Sequence, residues 1–242
     1  MLPIKYLIFD ADDTLWANNV FYERATYHFF QLAGKAGISL DKVEQDFQLI
    51  ELQTVQEHGY GSDSFLLIME RLYKKYADIL ITARQQKEYL SIIADFKQRA
   101  WRRPAIFPGV LPVLKHLRKR FELYILTKGN IEEQNRKLQN SRLLPLFCGA
   151  FVELEKNQYT YERILQQKGW LAAEVCMIGN SPKSDINPAL KCGMQAIFIP
   201  YSYTWKFDTE PLLTGHPKLV TVKNFADLQQ ILNQSDTSSE LP

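Results

Sequence analysis

Short apolar runs that do not alternate with polar residues constrain this chain most. Tyr6-Leu7-Ile8-Phe9 ends at Asp10, and Leu123-Tyr124-Ile125-Leu126 ends at Thr127. Val175-Cys176-Met177-Ile178 ends at Gly179-Asn180, and residues 195–199 end at Pro200. A strand with one wet face alternates; a continuous run is covered on both faces, as in a parallel sheet between helices. Residues 151–152 and 219–222 are weaker runs of the same kind. Helical patterns lie between them. Residues 110–120 follow the Pro108-Gly109 turn, 159–168 close at Gly169 as a C-cap, and 188–192 close at Gly193. This alternation predicts an α/β fold with a doubly wound, mainly parallel sheet.

One stretch breaks the alternation. Between residues 19 and 103 the pattern is helical throughout, in blocks near 20–36, 41–57, 62–78 and 82–100. Gly34 and Gly37 end the first block, Ser39 or Asp41 caps the second, and Ser62 caps the third after Gly59-Tyr60-Gly61. Phe65, Ile68, Met69, Leu72 and Tyr76 share one face, the stripe of a packed bundle. The length of 242 residues exceeds one small domain, since domains cluster near roughly 100–150. The insert accounts for the excess. The expected organisation is an interrupted core (1–18 and 104–235), a helical insert (19–103) and a polar tail (236–242).

Charge and cysteine usage exclude several classes. Twenty-nine basic and 27 acidic residues leave a net charge of +2. No global field therefore favours nucleic acid or an anionic membrane. Three cysteines without a C-x-x-C pair make neither a disulfide framework nor a structural zinc site. His28, His58, His116 and His216 have no ligand spacing. The N-terminus lacks a signal-peptide pattern, and no apolar run approaches the roughly 18–20 residues of a membrane span. A soluble, cytoplasmic protein is expected, as a monomer or homodimer.

Chemistry collects at the strand ends. Ligands of open parallel sheets bind at the carboxyl ends of strands, where the topology switches. Asp10, Thr127 and Asn180 each end an apolar run, and Asp185 follows five residues after the last. In Asp10-Ala11-Asp12-Asp13-Thr14, two aspartates two apart can divide their work. One attacks while the other donates and accepts a proton. Close carboxylates repel, and a hard divalent cation with oxygen ligands relieves that repulsion. Asp13 is expected to cap the turn locally.

Phe9-Asp10-Ala11-Asp12-Asp13-Thr14 resembles the first motif, D-x-D-x-T, of the haloacid dehalogenase (HAD) superfamily. Leu126-Thr127-Lys128-Gly129-Asn130 resembles its second motif, and Lys156 stands where its third-motif lysine belongs. Gly179-Asn180-Ser181-Pro182-Lys183-Ser184-Asp185 resembles the fourth, and the insert is similar to the family's cap. The resemblance implies a Rossmann-like core. It also implies that Asp10 attacks phosphorus to form an aspartyl-phosphate and that Asp12 protonates the leaving oxygen, then activates water. Thr127 and the backbone N–H of Lys128 would bind phosphoryl oxygens, and Lys156 would offset their charge. Mg²⁺ would be held by Asp10, the Asp12 carbonyl, Asn180 and Asp185. Many relatives have an acid at the position of Asn180, so Asp185 must supply that motif's negative charge.

Among the family's activities, phosphomonoester hydrolysis leads. Expelling an alkoxide needs the acid that Asp12 supplies, whereas expelling halide does not. The expected substrate is a small phosphorylated metabolite. Phosphonatase, phosphomutase and dehalogenase activities remain alternatives, as does a binding or regulatory module that retains the scaffold without turnover. The cap would close over the core, with Trp16, Phe21, Tyr27, Tyr60 and Phe65 suiting an organic leaving group. The Lys128 side chain is expected to face solvent.

Overall fold

The computed structural model describes residues 4–234; the polar tail, 236–242, lies outside them. In chain order the first half comprises β1 (Tyr6–Phe9), β2 (Trp16–Ala17), α1 (Asn19–Lys35), α2 (Leu40–His58), α3 (Ser62–Lys75), α4 (Ala83–Ala100), β3 (Ala105–Ile106) and α5 (Val110–Leu117). The second comprises β4 (Glu122–Lys128), α6 (Ile131–Ser141), β5 (Gly149–Glu153), α7 (Gln158–Lys168), β6 (Val175–Gly179), α8 (Asn187–Lys191), β7 (Gln195–Phe198), β8 (Leu219–Thr221) and α9 (Phe225–Gln234). Two compact units result: one joins the residues through Asn19 to those from Pro104 onward, the other is Val20–Arg103.

The first unit is built on a six-stranded sheet of order β5-β4-β1-β6-β7-β8, with every pairing parallel. Successive residues explain why the apolar runs are continuous. Leu7, Phe9, Leu123, Ile125, Cys176 and Ile178 pack on one face, among Val113, Leu114 and Leu117 of α5 and Leu228 and Leu232 of α9. Ile8, Tyr124, Leu126, Val175 and Met177 pack on the other, with Tyr161 and Ile164 of α7. Both faces are dry, so period-2 alternation has no polar side to show. After β1 the chain moves to β4 and β5 on one side, then crosses to β6 on the other. The switch therefore falls at the carboxyl ends of β1 and β6, where such sheets hold ligands.

The second unit has its own core. Phe65, Ile68, Met69, Leu72 and Tyr76 are all buried, together with Phe29 and Leu32 of α1, Val43 and Phe47 of α2, and Ile92 and Phe96 of α4. The caps differ from expectation. Ser39 precedes α2 without a side-chain hydrogen bond to it. Gly61, not Ser62, is the N-cap of α3. The true capping box is at α4, where Thr82 accepts from the Gln85 backbone and the Gln85 side chain returns the bond. Such reciprocal satisfaction removes orphan N–H groups. β2 and β3 form a two-residue antiparallel pair, with Ala17 opposite Ala105; it lies where the insert leaves and rejoins the sheet-bearing unit.

Candidate active site

The site lies within the sheet-bearing unit. Asp10 follows β1 directly, and its N–H still donates to Ile178 O at 2.9 Å. That bond continues the β1–β6 pairing and fixes the carboxylate at the switch point. Asp10 Oδ1 accepts from Lys156 Nζ at 2.5 Å, and the same Nζ donates to Asp185 Oδ1 at 2.5 Å. Lys156 sits beyond β5 and is only 5% exposed. Burial alone would lower its pKa, but the charges of Asp10 and Asp185 outweigh that and hold the ammonium above its ordinary value. Burial and the Asp185 charge push Asp10 up to about 7, against the pull of Lys156.

Asp185 is held by the wide helical turn Pro182–Ile186. Its Oδ2 accepts the Ser181 N–H at 2.9 Å. Its carboxylate packs so closely on Gly179 that any Cβ there would collide with it. Asn180 Oδ1 accepts from Thr14 Oγ1 at 3.1 Å, while its Nδ2 donates to Thr204 Oγ1 at 2.9 Å. Asn180 thereby bridges the turn after β1 to the segment after β7.

Asp12 is the most heavily held group. Oδ1 accepts from Trp16 Nε1 at 2.6 Å, and Oδ2 from Gln134 Nε2 at 2.9 Å and Lys137 Nζ at 2.8 Å. Burial raises its pKa, but the Lys137 charge and these donors overcome it and hold the carboxyl below the ordinary range. Thr127 does not cap α6; Asn130 does, accepting from Glu133 N at 3.0 Å. Thr127 Oγ1 instead donates to Gln134 Oε1 at 3.0 Å. Asp13, in left-handed backbone at φ 67°, accepts the N–H groups of Asn18 and Asn19 at the start of α1. Burial pushes its carboxyl up to about 8, opposed by those N–H groups.

Asp10, Asp12, Thr127, Lys156, Asn180 and Asp185 are thus gathered at the ends of β1, β4, β5 and β6. Lys128 departs from expectation. Its Nζ does not face solvent but donates to Asp208 Oδ1 at 2.5 Å and Ser184 Oγ at 3.1 Å. The carboxylate that draws it in lies 80 residues away, beyond any local pattern. Two of the aromatics expected to suit a leaving group are also withdrawn. Trp16 is 1% exposed in the core of the sheet-bearing unit, and Phe65 is buried in the helical core. Gln134, Lys137, Thr204 and Asp208 were not anticipated, and Thr14 and Ser184 stood in their motifs without an assigned role. For Gln134 and Lys137 a signal exists: they stand three apart, on one face of the helix after the second motif.

The site suits a hard divalent cation. Among the described residues Asp10 Oδ2 is buried and without a hydrogen-bond partner, a costly state for a carboxylate oxygen unless a cation meets it. Asp185 supplies a second carboxylate, and the Asn180 amide oxygen has a second lone pair beside its bond to Thr14. Among the described residues, no three His, Cys, Asp or Glu side chains gather for a metal. Asn180 offers an amide and no acid there, and the Asp12 carboxylate turns to Lys137.

The profile of haloacid dehalogenase-like hydrolases matches residues 4–193. The glyceraldehyde 3-phosphate phosphatase of Methanopyrus kandleri is 24% identical over 204 residues, 81% of this chain and 84% of that protein. A haloacid dehalogenase-like family hydrolase from Xanthomonas campestris superposes with a TM-score of 0.78 at 26% identity, over 98% of this chain and 93% of that one. The HAD-hydrolase YfnB of Bacillus subtilis, solved bound to magnesium, superposes with a TM-score of 0.61 at 19% identity, over 96% of this chain and all of that one. The family profile covers most of the chain, which belongs to the haloacid dehalogenase-like hydrolases.

Proposed function

We propose that this hydrolase cleaves small phosphomonoesters through an aspartyl-phosphate on Asp10. The observation that carries the reading is Asp12, a carboxylate two residues from the nucleophile and held by three side-chain donors. Halide expulsion has no use for such a proton carrier, whereas alkoxide expulsion needs one. The phosphatase activity named for the M. kandleri relative supports the same choice.

In the first step an Asp10 oxygen bonds to phosphorus as the ester P–O bond breaks, and the leaving oxygen takes a proton from Asp12, whose protonation the negative charge of bound phosphate favours against the pull of its donors. In the second, water attacks the same phosphorus and returns a proton to Asp12; the P–O bond to Asp10 breaks, releasing inorganic phosphate. The Lys128 backbone N–H and the Thr127 hydroxyl, turned from Gln134 to the phosphate when substrate binds, hold phosphoryl oxygens, and Lys156 offsets the accumulated negative charge. Asp10, Asp185, Asn180 and the Asp12 carbonyl would hold Mg²⁺, which would supply charge neutralisation beside the phosphate. The helical insert is assigned the family's cap role, selecting the leaving group. The expected setting is the cytoplasm, as a monomer or homodimer. Among the described residues no helix is long and apolar enough to cross a membrane.

The test is a Mg²⁺-dependent screen of phosphorylated metabolites with the wild type and Asp10→Asn. Turnover by the wild type, abolished in the variant, is expected. Undiminished turnover in Asp10→Asn removes Asp10 as nucleophile, and halide release from a 2-haloacid without phosphatase activity reverses the choice of class.

A further inference from the structure

Nothing in the four motifs accounts for two buried polar side chains of α6, Gln134 and Lys137, which are 4% and 6% exposed. We infer that they are positioning residues: together they clamp one oxygen of Asp12 so that the other carries the transferable proton. The inference rests on the phosphatase reading above and deepens it.

The geometry is selective. Lys137 Nζ meets Asp12 Oδ2 at 2.8 Å, Asn18 Oδ1 at 2.8 Å and Glu133 Oε1 at 3.1 Å. Charge-assisted bonds to carboxylates are the strong ones and direct the ammonium at Asp12 Oδ2. Gln134 divides its amide between two motifs. Its oxygen accepts from Thr127 Oγ1 and its Nε2 donates to Asp12 Oδ2. One side chain therefore ties the phosphoryl-binding hydroxyl of β4 to the acid/base carboxylate after β1. Gly129 makes room for it; a Cβ there would lie 3.0 Å from Gln134 Nε2.

The two oxygens of Asp12 end up unequal. Oδ2 receives two donors, as many as its lone pairs accept. Among the described residues Oδ1 receives only Trp16 Nε1 and retains a lone pair. Proton transfer thus runs through Oδ1, while Gln134 and Lys137 hold Oδ2 still. Holding a catalytic group in its reactive orientation is worth far more than the bonds themselves contribute to stability.

The experiment measures kcat/KM with two Mg²⁺-supported substrates, an alkyl phosphate and p-nitrophenyl phosphate. It uses the wild type, Gln134→Met, Lys137→Met, Lys137→Arg and each Met variant in an Asp12→Asn background. The nitrophenolate leaves with little protonation, so loss of the acid's aim must fall on the alkyl ester. For each Met variant we expect a loss of about 10-fold or more on the alkyl phosphate, within the general-acid range, and about 2-fold on the nitrophenyl ester. Lys137→Arg is expected to recover part of the loss. In the Asp12→Asn background neither Met substitution should reduce activity further, since groups that act as a unit are not additive. Equal losses on both esters, or full additivity with Asp12→Asn, overturn the clamp. If Lys137→Met fails to fold, Gln134→Met and Lys137→Arg decide by the same substrate contrast. A wild type inactive on both esters and across the metabolite panel overturns the phosphatase reading, and the clamp with it. That outcome is distinct from a clamp failing in an active enzyme.

Discussion

At the residue scale, one lysine holds the site together. Lys156 Nζ lies between Asp10 and Asp185, two buried carboxylates from opposite sides of the sheet's switch point. Removing one partner of a buried ionic cluster leaves uncompensated charge, at a cost of about 3–5 kcal/mol. Lys156→Met is therefore expected to destabilise the protein by about that amount in urea unfolding. Saturating Mg²⁺ should recover part of it, because a cation replaces the lost charge. A variant as stable as the wild type without metal would show that the two carboxylates need no counter-charge. The sequence marked Asp10, Lys156 and Asp185 as separate motif residues. That a single Nζ bonds both acids followed only from the fold, since 146 residues separate it from Asp10.

At the element scale, α2 and α3 pack through both apolar and ionic contacts. Asp46 of α2 accepts from Lys75 Nζ at 2.8 Å, at the end of α3, and from Tyr76 Oη at 2.6 Å just beyond it. Burial opposes ionisation, but the bonds from Lys75 and Tyr76 win, and the carboxyl is held below its ordinary value. A depressed folded-state pKa stabilises above the unfolded value and loses that contribution as pH falls through the folded one. Acid unfolding of the protein should accordingly be less steep in Asp46→Asn, measured by circular dichroism between neutral and strongly acidic pH. An unchanged slope would assign the acid sensitivity to other groups. The apolar stripe of α3 was legible because helical periodicity is a local property. The end of α3 was not: its periodic pattern runs to Tyr76 and beyond, but the helix closes at Lys75.

At the scale of the whole molecule, the insert leaves and returns at neighbouring points. Ala17 and Ala105 are paired across β2 and β3, and each unit has its own apolar core. Replacing residues 20–103 by a short Gly/Ser linker should therefore leave the sheet-bearing unit folded, with cooperative thermal unfolding and retained secondary structure. Loss of cooperative unfolding would mean that the insert completes that core. In the cap assignment the shortened protein loses discrimination among esters before it loses the nucleophile's chemistry.

The sequence by itself determined the layers, the parallel sheet, the strand-end residues Asp10, Thr127 and Asn180, and Asp185 in the turn that follows. Continuous apolar runs and the residues that end them are encoded within a few positions of one another, where sheet and helix periods operate. Only the tertiary structure decided what those residues meet. Gln134 and Lys137 reach Asp12 across 122 and 125 positions, Asn180 spans from Thr14 to Thr204, and Asp208 claims Lys128. Such pairings depend on the rotation of α6 about its axis and on the register of strands across β1. Both are set by close packing of the whole unit rather than by any local period.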